Sequence, residues 1–203
     1  MKILDLAIAT SNLGKLKEIQ AKFKPLGIKL YPMSDFGDFE IEETGTTFIE
    51  NALIKARYLS KISKLPTLAD DSGLVVEALG GAPGIYSARY AGPNPSDTDN
   101  YQKLLKNMSD IPQTFRSAYT YCCLVLLRHE LDPAPLITQG QMNCEILTEP
   151  RGSFGFGYDP VLYIPELKQT LAQMSLDLKN QISHRAQAMD HLIAIAQGLP
   201  PCF

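Results

Sequence analysis

The chain has 203 residues, 45% of them apolar and 20% charged, which is ordinary globular usage and excludes a disordered chain, a collagen-like chain and a coiled coil. A chain this long buries ~70% of its unfolded surface and needs no disulfide for stability. Nineteen Lys plus Arg against twenty-two Asp plus Glu leave a net charge of −3, which opposes binding to nucleic acid or an anionic membrane but not the capture of a small anion by a few local cations.

Lys2–Thr10 is apolar and reads as a strand ending at Ser11-Asn12, a helix-capping pair. Leu16, Ile19 and Phe23 then fall on one helical face, and Ile28–Tyr31 completes a βαβ unit. After the polar stretch Asp38–Thr46, a second helix is predicted from about Thr47 to Ser63, with Thr47 and Glu50 spaced as a capping box and Phe48, Ala52, Leu59 and Ile62 as its buried stripe. Pro66–Ala69 reads as a short strand ending at Asp70-Asp71-Ser72-Gly73, and Leu74–Ala78 as another. Gly80–Pro95, with four glycines and three prolines, reads as an ordered loop. Asp97–Met108 is helical in pattern; Phe115–Arg128 and Leu136–Thr148 alternate with period two and predict a long antiparallel hairpin. Gly152–Pro160 is a glycine-rich loop with aromatics, and a last helix runs from about His184 to Gln197, closed by Gly198 and Pro200. The expected fold is a single α/β domain over residues 1–203, with a mixed sheet flanked by helices.

The four cysteines, Cys122, Cys123, Cys144 and Cys202, have neither CxxC nor CxxH spacing, so neither a zinc cage nor a disulfide framework is expected. Asp5 interrupts the first apolar run before a signal h-region can form, and the longest apolar run, Tyr121–Leu127, is too short to span a bilayer. A cytoplasmic chain without a membrane partner is the expectation.

Four clusters carry chemistry. Thr10-Ser11-Asn12-Leu13-Gly14-Lys15 sets hydroxyls, an amide and a lysine at a helix N-terminus, where unpartnered N–H groups attract phosphate. Glu42-Glu43 and Asp70-Asp71 are hard oxygen ligands suited to Mg²⁺. Because neighbouring strand residues point to opposite faces, one of Asp70 and Asp71 is expected to face the metal. Phe154–Pro160 offers aromatic faces for a purine and the Asp159 carboxylate for a ring N–H. Ser183-His184-Arg185, with Lys179 before it, supplies donors. Each alone also fits a cap, a solvated turn or a packed loop; together they are an inventory for nucleotide hydrolysis.

The motifs TSNLGK (10–15), EETGTTFIENALIKA (42–56), LADDSGL (68–74), GGAPGIYSARYAG (80–92), FGFGYDP (154–160) and SHRAQA (183–188) resemble those of the inosine triphosphate pyrophosphatase, or Ham1-like, family over nearly the whole chain. The resemblance implies a two-lobed α/β fold with a long central sheet and an active-site cleft between the lobes. It also implies a Mg²⁺-dependent homodimer that hydrolyses ITP, dITP and XTP to the monophosphate and pyrophosphate. Carried onto this sequence, Thr10, Ser11, Asn12, Leu13, Gly14 and Lys15 would bind the triphosphate, with Ser72 assisting. Glu42, with Glu43 as the alternative, and Asp71 would hold Mg²⁺, Asp71 also activating water. Phe156, Gly157, Tyr158 and Asp159 would hold the base, and Lys179, His184 and Arg185 would contact the nucleotide, the last two near its 6-oxo edge.

A Maf-like pyrophosphatase is the nearest alternative, but its serine-proline-arginine-arginine motif is replaced here by Ser11-Asn12-Leu13-Gly14-Lys15. A catalytically silent nucleotide-binding protein is the other, and retention of both acidic pairs argues against it.

Overall fold

The computed structural model describes residues 4–198; Lys2, Pro200 and Cys202, which entered the sequence reading, lie outside them. Strand β1 (Asp5–Ala9) is buried at Leu6, Ala7, Ile8 and Ala9, the near-continuous apolar run of a strand inside a parallel sheet. It pairs in parallel with β2 (Lys29–Pro32) and β3 (Thr67–Val76), Asp5 lying opposite Lys29 and Ala9 opposite Ala69. Between β1 and β2, helix α1 (Leu13–Phe23) is capped by Asn12 and buries Ile19 and Phe23, as the βαβ reading requires.

Helix α2 (Phe48–Ser63) starts at Thr47 with both halves of the capping box formed. The acidic loop before it lies hard against the helix start: Gly45 N–H donates to Asn51 Oδ1 at 2.9 Å, and a Cβ at position 45 would come within 2.5 Å of Glu50 Cβ. Ala52, Ala56 and Leu59 are buried, whereas Ile62, expected in that stripe, is 37% exposed in the last turn.

The two strands expected on either side of Asp70–Gly73 are one continuous strand, β3. Asp-Ser-Gly is turn chemistry only where the aspartate side chain must be satisfied locally; here both carboxylates find ammonium or guanidinium partners across the strand, and the backbone stays extended. The Gly80–Pro95 segment contains a 3₁₀ turn, Gly84–Arg89, and leads into α3 (Asp97–Asn107).

Strands β4 (Ser117–Leu127) and β5 (Leu136–Ile146) are adjacent in the sheet. Ile146 N–H meets Arg116 C=O and Thr120 reaches Met142 C=O, so partners rise along one strand as they fall along the other, the antiparallel hairpin that the alternation predicts. Two short strands that the sequence reading missed follow, β6 (Leu162–Ile164) and β7 (Gln169–Thr170), both in antiparallel pairing. Helix α4 (Leu176–Ile182), also missed, precedes α5 (His184–Gly198). The seven-stranded mixed sheet has the order β2-β1-β3-β4-β5-β6-β7.

The chain forms two compact units, passing between them at Asp71–Ser72, Tyr121–Cys122, Gly140–Gln141 and His184–Arg185. The first has a core of Leu6, Ile8, Ile19, Leu68, Cys122 and Leu124 with Ala188, Met189 and Leu192 of α5. The second is built on Leu74, Val76, Leu104, Met108, Ile146, Val161 and Leu162. In the second, the buried Arg116 guanidinium donates to Met108, Ile146 and Leu147 C=O, tying the end of α3 to the end of β5. Among the described residues no helix is long and apolar enough to cross a membrane.

Candidate active site

In the first unit, the turn from β1 to α1 is ordered from within. Thr10 Oγ1 accepts Asn12 N–H, and Asn12 Oδ1 accepts Lys15 N–H at 3.0 Å. Leu13 is 71% exposed, so the first residue of α1 faces outward instead of joining a core. Lys15 then reaches back to β3, its Nζ 2.6 Å from Asp70 Oδ1.

Asp70 and Asp71 do point to opposite sides of β3, and their environments differ. Asp70 is buried and committed: Lys15 holds one oxygen, while Arg185 Nε, at 2.6 Å, and the Cys122 thiol hold the other. Arg185, also buried, pairs in addition with Glu18 of α1 through Nη1. Burial alone would raise the Asp70 pKa, but Arg185 and Lys15 outweigh it and hold the carboxyl well below the usual range. Arg185, expected to contact the nucleotide near its 6-oxo edge, is thus seated 2% exposed in an ion network of Glu18, Asp70 and Lys15.

Asp71 faces the acidic loop. Lys55 of α2 places its Nζ 2.6 Å from Asp71 Oδ1 and 2.7 Å from Glu43 Oε1, so the two carboxylates converge on one cation. Burial raises the Asp71 pKa, with Glu43 adding to the rise and Lys55 and Lys15 opposing it. Burial works against the Lys55 charge, yet the two carboxylates outweigh it and raise its pKa. Asp71 Oδ2 is buried and has no hydrogen-bond partner among the described residues. Of the two acidic residues expected to supply the second metal ligand, Glu43 turns in to Lys55 beside Asp71, while Glu42 is exposed.

Among the described residues no three His, Cys, Asp or Glu side chains converge as a metal cage; Mg²⁺ takes one or two carboxylates and fills its other positions with water and phosphate. Glu43, Asp71 and the unpartnered Oδ2 fit such an ion, since the pair already gathers around one positive charge.

In the second unit, the aromatic loop is braced by its own carboxylate. Asp159 Oδ2 accepts Phe156 N–H at 2.9 Å and the Lys179 ammonium at 2.6 Å. Lys179 in turn lies 4.2 Å from the centre of the Phe156 ring, a cation–π distance. Gly155, at φ +79°, touches the same carboxylate: a Cβ there would be 2.0 Å from Asp159 Oδ2. Tyr158 is turned inward as part of the core, its hydroxyl donating to Ser87 C=O at 2.8 Å, whereas Phe154 is 65% exposed. His184 is buried at the start of α5, and Ser72 is half-buried on β3.

Sequence reasoning missed Lys55 and Glu18. A signal existed for Lys55, since it lies three residues after Ala52 and four before Leu59, on the buried face, where a charge needs a partner. Glu18 offered less: its neighbours in sequence are Lys15, Lys17 and Lys22, and only α5 shows why it is buried.

A mixed sheet carrying a capped strand-to-helix turn, converging carboxylates and an aromatic loop gripped by a lysine defines a protein of the Ham1 type. The Ham1 family model matches residues 6–195, and the chain belongs to that family. It is 47% identical over 186 residues to the dITP/XTP pyrophosphatase of Escherichia coli (strain K12), covering 92% of this chain and 94% of the relative. With the dITP/XTP pyrophosphatase of Xylella fastidiosa (strain 9a5c) it shares 51% identity over 187 residues, with the same two coverages. Among solved structures, a HAM1 protein from Coxiella burnetii superposes with a TM-score of 0.89 at 45% identity, covering 97% of this chain and 100% of that one.

Proposed function

We propose that this chain hydrolyses non-canonical purine nucleoside triphosphates (ITP, dITP and XTP) to the monophosphate and pyrophosphate, as a Mg²⁺-dependent cytoplasmic homodimer that clears them from the nucleotide pool. The observation that carries this reading is the division of labour between adjacent carboxylates: Asp70 is saturated by Lys15, Arg185 and Cys122, while Asp71, beside Glu43 and Lys55, keeps a buried oxygen with no partner among the described residues. Two neighbouring carboxylates in contrasting environments are how one site separates a structural anion from a reactive one. The names of the relatives, dITP/XTP pyrophosphatases, support the substrate class.

Mg²⁺, when bound, neutralises charge on the phosphoryl oxygens; Glu43 and Asp71 would hold it. Asp71 Oδ2 is the oxygen offered to an attacking water, whose proton it takes. Thr10, Ser11, Asn12, Leu13, Gly14 and Lys15 line the turn that receives the triphosphate, with Ser72 beside Asp71 in sequence, and Lys55 adds a second ammonium. Phosphoryl transfer needs chiefly this positioning and charge complementarity. Phe156, Gly157 and Asp159 form the base loop with Lys179, Tyr158 anchoring it from below. Donors presented to a 6-oxo group reject the 6-amino group of adenine, an unpaired buried donor costing about 1–3 kcal/mol. His184 and Arg185 are the donors proposed for that role, Arg185 being held in place by Asp70 and Glu18. Buried free cysteines at 122, 123 and 144 suit a reducing compartment.

Steady-state hydrolysis of a panel of nucleoside triphosphates with Mg²⁺, with products identified, tests the reading. ITP, dITP and XTP should lead the panel and release pyrophosphate, and Asp71→Asn should fold normally yet turn over at least ~100-fold more slowly, the scale of a lost general base. Release of orthophosphate, or near-normal turnover by that variant, would overturn it.

A further inference from the structure

Helix α3 carries two stripes. Tyr101, Leu104 and Leu105, with Met108 at its C-cap, lie toward the core of the second unit, and Asp97, Asn100, Lys103 and Asn107, spaced by three or four residues, form a polar edge beside it. Every side chain on that edge grips a loop. Asn100, buried, accepts Ala91 N–H at 2.8 Å and donates to Ala88 C=O; Lys103 donates to Tyr90 C=O at 2.6 Å; Asn107 donates to the Tyr90 hydroxyl. The first three turns of α3 therefore serve as a strut for the Gly84–Gly92 segment.

Asp97 extends the strut to a second loop. Its Oδ2 accepts the backbone N–H of Gly157 at 2.7 Å, sixty residues away. Gly157 is in the left-handed region, at φ +62°, where glycine is the residue that adopts the conformation without strain. On either side the loop is tied down as well: Phe156 N–H to Asp159, and the Tyr158 hydroxyl to Ser87, itself on the segment that α3 braces. Asp97 is in the first turn of α3, where the helix dipole favours its negative charge and a charge-assisted bond to N–H is strong.

We propose that Asp97 is a positioning residue for nucleotide recognition: it fixes Gly157 and so holds the Phe156 ring, with Lys179 over it, in the conformation that receives the base. Asp97 touches no reacting atom in this scheme. The inference rests on the reading of Phe154–Asp159 as the base loop and adds to it a residue outside every sequence motif considered above.

The test compares Asp97→Ala with Asp97→Asn, whose amide oxygen still accepts the Gly157 N–H. Both lose the same charge from the helix start, so a role exercised only through that charge would move both alike. For loss of this solvent-exposed hydrogen bond the expected rise in KM for ITP in Asp97→Ala is roughly 3- to 10-fold, with kcat within about twofold and with recovery of most of the loss in Asp97→Asn. Inhibition by inorganic tripolyphosphate, which has no base, should be unchanged in both, and amide hydrogen exchange at Gly157 should quicken in the alanine variant alone. An unchanged KM in Asp97→Ala, failure of asparagine to restore it, or an equal loss of tripolyphosphate affinity would overturn the proposal. If the wild-type chain turned over no ITP, the functional reading would fall instead. The exchange comparison would then decide the anchor by itself: quickening in alanine alone upholds it, equal rates overturn it.

Discussion

Replacing Asp70 by asparagine removes one charge from the most deeply buried ion network in the first unit. In the native chain this carboxylate takes Lys15 Nζ at 2.6 Å on one oxygen and Arg185 Nε at 2.6 Å on the other, with the Cys122 thiol at 3.3 Å. Removing one partner of a buried pair costs about 3–5 kcal/mol, because the remaining charge is left uncompensated. Two features place the cost at the lower end: Arg185 keeps Glu18, and the Lys15 side chain is 16% exposed and can turn toward solvent. A loss of about 3 kcal/mol is expected, equivalent to a fall in Tm of about 6–12 °C for a chain of this size. Urea and thermal unfolding of both proteins, followed by circular dichroism in metal-free buffer, measure it. The pH dependence gives a second check. Asp70 is held well below its ordinary value of 3.8 in the folded state, so its contribution is fully present above that value and is lost only as pH falls through the depressed folded-state pKa. The gap between the two proteins should therefore be constant from neutral pH down to about 4 and should close only in stronger acid. A gap under about 1 kcal/mol at pH 7 would refute the claim that Asp70 is a structural anion.

The acidic loop offers a paired comparison: Glu43→Gln should raise the Mg²⁺ concentration for half-maximal activity by roughly tenfold or more and weaken Mg²⁺ binding by calorimetry, as loss of a ligand or its close support does. Glu42→Gln should leave both within about twofold, as expected of an exposed side chain; equal effects in the two would contradict the convergence of Glu43 and Asp71 on Lys55. Gly155→Ala puts a methyl group 2.0 Å from Asp159 Oδ2 at a φ of +79°. It should raise the KM for ITP by about tenfold through loss of the Asp159 bracing bonds, and an unchanged KM would show that the loop tolerates a different shape.

Much of the fold was legible because its signals are local. The capping box at Thr47 and Glu50, the Asn12 cap, the alternation in β4 and β5 and the apolar run of β1 each depend on residues within a few positions of one another, and each formed as expected. The break expected at Asp70–Gly73 did not form, since whether an aspartate bends the chain depends on what lies across the strand. The short strands β6 and β7 and helix α4 left too little periodicity to read.

The same distinction governs the site. Sequence alone determined which residue types are present and, from the pleat of a strand, that Asp70 and Asp71 must face different ways. It could not say which faces what. That Asp70 is neutralised by Lys15 and Arg185 while Asp71 shares Lys55 with Glu43, that Glu43 and not Glu42 turns inward, and that Asp97 on α3 holds Gly157 were decided by tertiary structure. The physical reason is that hydrogen bonding and charge pairing act over about 3 Å in space regardless of separation along the chain, and Arg185 meets Asp70 only because α5 and β3 pack into one core.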